Sequence, residues 1–419
     1  MNLIFKQAVV IDKHSRFNNK TVDIQVENGT ITKIADTITA GENFEVVELE
    51  NLHISRGWFD SSVSFGEPGF EDRETIANGL NTAALSGFTD VALQPNGYPV
   101  ADTQADISFV LNRAGNHATT LHPIGALTKG SEGKDIAELF DMKNAGAVAF
   151  GDYNKSITDA NIVKIALQYV QDFNGLVITF CQDEKIKGKG VVHEGYVSTK
   201  LGLKGIPALA EELQVARNLF LLEYTGGKMH IPTISTAKSV QLVREAKAKG
   251  LNVTCSAAIH NLTLTDDELT GFDTRYKVMP PLRTESERLA LIEGIKDGTI
   301  DMITSDHNPI DIENKKLEFD LAKDGTIGLE SAIGALSTIL PLDLAIEKLT
   351  AGKNVFGIEN HVIAEGKPAC FTLFNPDYAF TFDKAHIISK SKNSAFLGRQ
   401  LKGKAYGIFN NGKLVVNIK

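Results

Sequence analysis

The sequence has few cysteines, and the three it has lie far apart, at Cys181, Cys255 and Cys370. No Cys-x-x-Cys pair is present, so the chain offers neither the ligand spacing of a zinc knuckle nor the framework of a small disulfide-bonded domain. We therefore expect all three side chains to be reduced thiols.

The sequence also lacks long apolar runs and an excess of positive charge. No stretch of about 18 apolar residues could span a bilayer, and residues 1–16 lack the apolar core and cleavage site of a signal peptide. The formal net charge of −9 argues against nucleic acids or anionic membranes as general partners. These absences favour a cytoplasmic protein that binds neither nucleic acid nor membrane.

The chain is 419 residues long, which suits a large barrel with a satellite domain better than one small core. From residue 54 to 361, apolar β-prone runs alternate with amphipathic segments of helix length. Repeated units of this kind predict an α/β fold, a (β/α)8 barrel of the TIM type. The chemistry of such a barrel lies at the C-terminal ends of its strands.

The two ends of the chain show a different residue pattern, without helical segments. Residues 1–53 and 362–419 consist of short β-prone runs, and Asn28-Gly29 and Asn411-Gly412 are typical of tight hairpin turns. The C-terminal runs include CFTLFNP, YAFTFD and AHIISKS, which we predict as separate strands. We expect both ends to pair into one discontinuous β-sandwich domain beside a barrel domain of residues 54–361.

Eight segments, in order along the chain, are similar to the motifs of one family. They are EPGFED (67–72), GFTDVALQPNGYP (87–99), GAVAFGD (146–152), HEGYVSTKLGLKGIPALAEE (193–212), STAKSVQLVREAKAKGLNVTCS (235–256), KVMPPLR (277–283), DGTIDMITSDHNP (297–309) and GTIGLES (325–331). Through them the chain resembles dihydroorotase, of the amidohydrolase superfamily, over essentially its whole length. The resemblance implies a barrel of the amidohydrolase kind with zinc at its mouth. It also implies reversible hydrolysis of the cyclic amide of dihydroorotate to carbamoyl aspartate, in pyrimidine synthesis.

The resemblance also shows which side chains are missing from the first barrel strand. The family carries Asp-x-His-x-His-x-Arg-Glu-Pro-Gly there, and Asp60 and Glu67 fit that frame. The two histidine positions are then Ser62 and Ser64, and the arginine position is Gly66. A serine hydroxyl is a poor zinc ligand beside an imidazole, and glycine has no charge with which to bind a substrate carboxylate.

The other ligand positions differ in the same way. By the same resemblance, Phe180 and Thr233 stand where the fifth and sixth strands carry metal-binding histidines. Tyr153, after Asp152, stands where a carboxylate would bridge the metals. Asp306, at the end of strand eight, matches the metal-linked general base. We therefore expect no metal ligands and no cofactor, although the family uses zinc.

Three residues remain as candidates for chemistry. Asp306 is the candidate catalytic residue, and Asn96 and His307 are candidates for substrate binding. Each also has a structural interpretation, in which Asp306 and His307 cap the loop after strand eight and Asn96 forms a turn. His230 and His260 are isolated histidines, for which we expect structural roles.

A rearranged metal site is an alternative that the residues leave open. Asp60, Asp152, Asp183 and Asp306 would form an oxygen-rich set if they converged at the barrel mouth. Such a set favours magnesium or manganese over zinc. A hard cation with few imidazole ligands activates water less well than zinc does, which makes the set a poorer centre for hydrolysis.

These observations predict a dihydroorotase-like protein of pyrimidine biosynthesis that has lost its zinc ligands, and with them catalysis, and that has a structural or regulatory role. The partner to test first is aspartate carbamoyltransferase, because some dihydroorotase-like relatives without catalytic residues assemble with it. A homodimer is also expected. The alternative is a working cyclic-amide hydrolase, a dihydroorotase whose site has been rearranged.

Overall fold

A computed structural model describes residues 1–417 of the chain. The strands are β1 (Asn2–Ile11), β2 (Thr21–Glu27), β3 (Thr30–Ala35), β4 (Glu45–Val47), β5 (His53–Arg56), β6 (Trp58–Val63), β7 (Phe88–Leu93), β8 (Thr120–Gly125), β9 (Ala149–Phe150), β10 (Val177–Ile178), β11 (Val192–His193), β12 (Gly205–Ile206), β13 (Met229–Ile231), β14 (Val253–Ala258), β15 (Met302–Thr304), β16 (Phe371–Thr381), β17 (Gln400–Asn410) and β18 (Lys413–Val416).

The helices are α1 (Ile76–Leu85), α2 (Gln104–Ala114), α3 (Leu139–Ala145), α4 (Ala160–Tyr169), α5 (Glu184–Lys187), α6 (Tyr196–Leu201), α7 (Ala208–Thr225), α8 (Ala237–Ala248), α9 (Ile259–Thr263), α10 (Glu285–Lys296), α11 (Ile312–Lys315), α12 (Ala332–Leu336), α13 (Leu342–Thr350) and α14 (Gly352–Val355). Short 3₁₀ helices cover Lys129–Ser131, Val170–Phe173, Asp266–Gly271, Thr274–Tyr276 and Lys384–His386. Within residues 1–417 no helix is long and apolar enough to cross a membrane.

Eight parallel strands form the barrel sheet, and they follow one another in sequence order: β6, β7, β8, β9, β10, β13, β14 and β15. An apolar cluster that includes Phe59, Ile178, Met302 and Phe356 packs together within this sheet. The predicted (β/α)8 barrel is confirmed. Because all eight strands run the same way, their C-terminal ends meet at one mouth.

The barrel closes between its first and last strands. Val63 forms a parallel bridge with His307, just beyond the end of β15. The Ser64 amide donates to the His307 carbonyl at 2.8 Å, and the His307 amide donates to the Ser62 carbonyl at 3.2 Å. The closure therefore brings the residues after β6 against the residues after β15.

The remaining large sheet is built from both ends of the chain, as predicted. Its path is β18-β17-β16-β5-β1-β2-β3, with β4 paired to β1. It has a core of its own, in which Phe5 packs edge-on against Phe371 and Phe409. The predicted turns at Asn28-Gly29 and Asn411-Gly412 join β2 to β3 and β17 to β18. The proposed domain boundaries, 1–53 with 362–419 and 54–361, stay a prediction.

Two C-terminal strand predictions are corrected by the structure. The runs CFTLFNP and YAFTFD belong to one strand, β16, whose pairing with β17 is irregular between Asn375 and Ala379. The run AHIISKS forms no strand. Ser389 instead donates from its amide and hydroxyl to Glu330, and the Lys390 amide donates to Glu74. These buried carboxylates satisfy the backbone that a sheet neighbour would otherwise have paired.

Candidate active site at the barrel mouth

A chain of hydrogen bonds crosses the seam where the barrel closes. The Gln94 amide nitrogen donates to the Ser62 hydroxyl at 3.1 Å, and the Ser62 hydroxyl donates to the Asp306 carboxylate at 2.8 Å. Asp306 also accepts a hydrogen bond from the Tyr153 phenol. Ser62 lies in the last residues of β6, and Gln94, Asp306 and Tyr153 follow β7, β15 and β9, so four different strand ends build this cluster.

Burial sets the charge state of Asp306. Desolvation raises the pKa of this carboxyl to about 7, although the hydrogen bond from Ser62 acts in the opposite direction. A carboxyl with a pKa near neutrality can both accept and release a proton at physiological pH. Among the described residues, the partners of its carboxylate are hydroxyl groups rather than the loop amides that a capping role requires.

Two members of this cluster, and Thr233 after β13, have a left-handed backbone. Tyr153 has φ +56°, Thr233 +48° and Asp306 +47°. Such angles are uncommon for any residue but glycine, and for a β-branched threonine they are a genuine outlier. Strain of this kind costs about 1–3 kcal/mol per residue and is concentrated at functional sites. The strained positions coincide with those that the family resemblance assigns to the metal centre, although the side chains differ.

Asn96 lies at the same mouth. Its amide nitrogen donates to the Ser64 hydroxyl at 2.7 Å, and its side-chain oxygen is buried without a hydrogen-bond partner. The side-chain oxygen of Gln94 is also buried without a hydrogen-bond partner. Two buried acceptors of this kind suit a ligand that carries N–H donors.

His307 lies on the seam where the barrel closes. Its ring is fully buried, and its Nδ1 accepts from the amides of Gly328 and Leu329 at 3.3 and 3.4 Å. Burial lowers the pKa of this imidazole to about 4, so the ring is neutral. The ring packs edge-on against Phe65, and its Nε2 is buried without a hydrogen-bond partner. The role of His307 in substrate binding stays a prediction.

Three carboxylates of the oxygen-rich set suggested by the sequence already have hydrogen-bond partners in the protein. Asp60 accepts from the Thr304 hydroxyl and, at 2.8 Å, from the Ser305 amide. Asp152 accepts from the amide and hydroxyl of Thr128, and Asp183 caps α5. Three of the four carboxylates are thus used to hold strand ends and a helix start.

The remaining family positions are filled by apolar or closely packed groups. Phe180 is buried in a cluster with Ile206, Ala210 and Met279. At Gly66 a β-carbon would lie 1.8 Å from the Phe70 carbonyl oxygen, so this loop accepts no side chain where the family has arginine. A cavity of about 390 Å³ opens beside Asp152, with Met279 and Asp324 in its wall.

Three further histidines, at 193, 230 and 260, are buried in the barrel domain. His230 contacts the hydroxyls of Thr254 and Ser256 on the neighbouring strand, and burial lowers its pKa to about 3. His260 is buried without a hydrogen-bond partner for either ring nitrogen, and burial lowers its pKa to about 3. The His193 Nδ1 lies 3.1 Å from the Arg283 guanidinium, and burial, with that charge, lowers its pKa to about 4.

Gln94 and the contact that Tyr153 makes with Asp306 were not predicted from the sequence. Gln94 stands directly before Pro95 and Asn96 at the end of β7, and Tyr153 follows Asp152 after β9. Their positions at strand ends are the only signal that the sequence contains. Which of them reaches Asp306 depends on the barrel closure, and no local pattern encodes that.

Solved structures with the same architecture identify the fold. An L-hydantoinase (dihydropyrimidinase) from Arthrobacter aurescens has a TM-score of 0.86 at 19% identity, covering 99% of this chain and 96% of its own. A D-hydantoinase from Thermus sp. has a TM-score of 0.81 at 20% identity, covering 99% and 95%. The fold is that of the amidohydrolase barrels.

Proteins with similar sequences identify the family within this fold class. A family model described as Dihydro-orotase-like matches residues 53–239. Proteins named dihydroorotase cover nearly all of the chain: one from Pelotomaculum thermopropionicum is 43% identical over 99% of each chain, and one from Geobacter metallireducens is 38% identical over 99% of each. One from Acetivibrio thermocellus is 38% identical over 100% of this chain and 99% of its own. The chain belongs to the dihydroorotase family of pyrimidine biosynthesis.

Family membership corrects the expectation that no cofactor is involved. The chain matches members of this family over nearly its whole length, and by the resemblance above the family uses zinc, so the missing histidines did not justify that expectation. The donor set at the family positions nevertheless does not fit the family's zinc centre: Ser62 and Tyr153 hydrogen bond to Asp306, and Phe180 is apolar. The comparisons likewise leave the expected loss of catalysis unconfirmed.

Proposed function

We propose that this protein is a cyclic-amide hydrolase acting on dihydroorotate, with a site rearranged around Asp306. The observation that carries the proposal is the position of Asp306 at the end of the last barrel strand, within hydrogen-bond reach of Ser62 and Tyr153. Full-length identity of 43% to a protein named dihydroorotase supports the choice of substrate.

In this proposal Asp306 takes a proton from the attacking water, whose oxygen bonds to the ring carbonyl carbon. The ring C–N bond then breaks, and the same proton passes to the leaving nitrogen, which gives carbamoyl aspartate. Ser62, itself fixed by Gln94, holds the Asp306 carboxylate in place. Asn96 offers a buried oxygen without a partner to an N–H group of the ring.

A non-catalytic role is the second candidate, and a specific observation favours it. Ser62, Ser64, Phe180 and Thr233 supply no imidazole at the positions where the family carries histidine. The protein would then act as a structural or regulatory partner, with aspartate carbamoyltransferase as the first complex to test.

The experiment is a ring-opening assay with purified protein and dihydroorotate, with and without added zinc. The first proposal expects turnover that Asp306→Asn abolishes. Asp159→Asn is the matched control, because Asp159 caps α4 outside the site and asparagine is an equally good cap. No turnover by the wild-type protein under either condition would reject the hydrolase. Co-elution with aspartate carbamoyltransferase would then support the second candidate.

A further inference from the structure

The start of strand β7 holds a buried ion pair that has a thiol beside it. The Lys353 ammonium, on α14, lies 2.6 Å from the Asp90 carboxylate and donates to the Thr89 hydroxyl at 3.0 Å. It also donates to the Cys370 sulfur at 3.7 Å. Because the Lys353 side chain is only 2% exposed, packing holds its nitrogen among these three groups.

Cys370 is the most accessible of the three cysteines. Cys181 and Cys255 are buried, whereas Cys370 is partly exposed. A cavity of about 460 Å³ reaches Cys370, with Asp90 and His122 in the same wall. Oxidation of a cysteine requires access as well as a reactive sulfur, and a small oxidant can reach this one through the cavity.

Electrostatic interactions also link the lysine to the thiol. Burial alone would lower the pKa of Lys353, but Cys370 and Asp90 act in the opposite direction and raise it above its ordinary value. The lysine is therefore charged in the reduced protein, and its nitrogen stays directed at the two groups that stabilise this charge.

We propose that Lys353 and Cys370 are joined by a covalent N–O–S bridge when dioxygen reaches the cavity. One atom of dioxygen bonds to both nitrogen and sulfur, as one N–H bond and the S–H bond break, and the other atom leaves as water. Nitrogen and sulfur each give up two electrons, and dioxygen accepts all four, which brings the sulfur to the oxidation level of a sulfenic acid. Of the four hydrogens on the ammonium and the thiol, two leave in the water, one stays on nitrogen and one is released as a proton.

The released proton has an acceptor at the site. The His122 ring lies 2.8 Å from the Asp90 carboxylate. With Lys353 neutral, Asp90 keeps His122 and the Thr89 hydroxyl as its partners. A His122 ring that takes up the proton restores a positive charge beside a buried carboxylate that would otherwise be unpaired.

The bridge joins two parts of the chain that otherwise meet through noncovalent contacts. Lys353 belongs to α14, which packs against β6 of the barrel, whereas Cys370 directly precedes β16 of the sheet built from both chain ends. The two residues are 17 positions apart, so the reaction closes a short covalent loop between the barrel and that sheet. It uses none of the groups proposed for hydrolysis, and the two proposals are therefore independent.

The first test is the mass of the full-length protein. Protein purified without oxygen and with a reductant, then freed of the reductant and exposed to air, should gain about 14 Da, whereas a sulfenic acid would add about 16 Da. Proteolysis should then release one cross-linked species that contains both Lys353 and Cys370. Excess dithiothreitol should restore the original mass and separate the two peptides.

Variants identify the reacting atoms. Cys370→Ser and Lys353→Arg should each abolish the gain in mass, since arginine keeps the buried charge but has no primary amine. Cys181→Ser is the matched control and should keep the gain, because the Cys181 sulfur contacts Thr179 and Asn218 instead of a lysine. The peptide map of the wild-type protein decides the case even if Lys353→Arg does not fold. An unchanged mass in air, a gain that persists in Cys370→Ser, or a gain of about 16 Da without a cross-link would each overturn the proposal.

Discussion

The Ser62 hydroxyl donates a 2.8 Å hydrogen bond to the Asp306 carboxylate across the seam of the barrel. This contact joins the end of the first barrel strand to the end of the last, and it replaces the histidine that the family has at residue 62. Because Ser62 stabilises the charged form of Asp306, its effect on the proton affinity of that carboxyl can be measured.

Ser62→Ala should reduce the rate of dihydroorotate ring opening by about tenfold and raise the pKa of Asp306. A hydrogen bond to a charged group contributes about 1.5–3 kcal/mol, so the acid limb of the pH–rate profile should move up by about one pH unit. Ser61→Ala is the control, since its buried hydroxyl has no partner. An unshifted profile in Ser62→Ala would show that the contact does not tune Asp306.

Asn96→Ala should raise KM for dihydroorotate about tenfold and leave kcat nearly unchanged. The buried side-chain oxygen of Asn96 has no protein partner, and a lost hydrogen bond to a bound ligand costs about 1.4 kcal/mol. Initial-rate kinetics separate the two constants. A fall in kcat at constant KM would place Asn96 in the reacting centre instead.

Gly66→Arg should not restore a substrate-binding arginine. A β-carbon at this position meets the Phe70 carbonyl oxygen at 1.8 Å, so the loop must move before any side chain fits. We expect Gly66→Ala, which adds only that carbon, to lower the free energy of unfolding by about 1–3 kcal/mol. Gly41→Ala serves as control, because its nearest neighbour would be 3.7 Å away. Equal stability of the two variants in denaturant titrations would contradict the loop geometry.

Lys353→Met should destabilise the protein by about 3 kcal/mol, because it removes the ammonium partner of a buried carboxylate that keeps only His122 and Thr89 as partners. The Lys353 ammonium lies 2.6 Å from the Asp90 carboxylate, and both side chains are almost inaccessible. Burial alone would raise the pKa of Asp90, but Lys353 and His122 hold it well below its ordinary value. Lys134→Met breaks an exposed pair with Glu132, and should change the free energy of unfolding by less than about 1 kcal/mol.

His260→Leu should make stability less sensitive to acid. Burial lowers the pKa of His260 to about 3 in the folded state, while an unfolded histidine titrates near about 6.5. Between these values the unfolded chain binds more protons, so stability falls as the pH decreases below about 6.5. At pH 5 this loss is about 2 kcal/mol for one such residue. The difference in unfolding free energy between pH 7 and pH 5, measured by denaturant titration, should shrink by that amount in His260→Leu. An unchanged difference would contradict the burial of a neutral ring at this position.

The fold could be predicted from the sequence because its signals are local. The turns at Asn28-Gly29 and Asn411-Gly412 and the alternation of β runs with amphipathic helices depend only on neighbouring residues. The run AHIISKS was wrongly predicted as a strand, because the carboxylates that accept from its backbone, Glu74 and Glu330, are distant in sequence.

The site was less predictable, because it depends on contacts between strands. Asp306 was found by its motif, but Gln94 and Tyr153 reach it only through the closed barrel. The sequence offered Asp60 and Asp152 as possible metal ligands. In the fold, both carboxylates accept hydrogen bonds from backbone amides and from hydroxyl groups.

The left-handed backbone at Tyr153, Thr233 and Asp306 has a consequence for how this protein changes over generations. A side chain is replaced by a single codon change, whereas a strand end is displaced only when many packed neighbours move with it. Substitution can therefore alter the chemistry of the mouth faster than it can alter the backbone. At these positions the strained backbone torsions limit which residues can be substituted. The backbone therefore limits how substitutions can change the shape of the cavity.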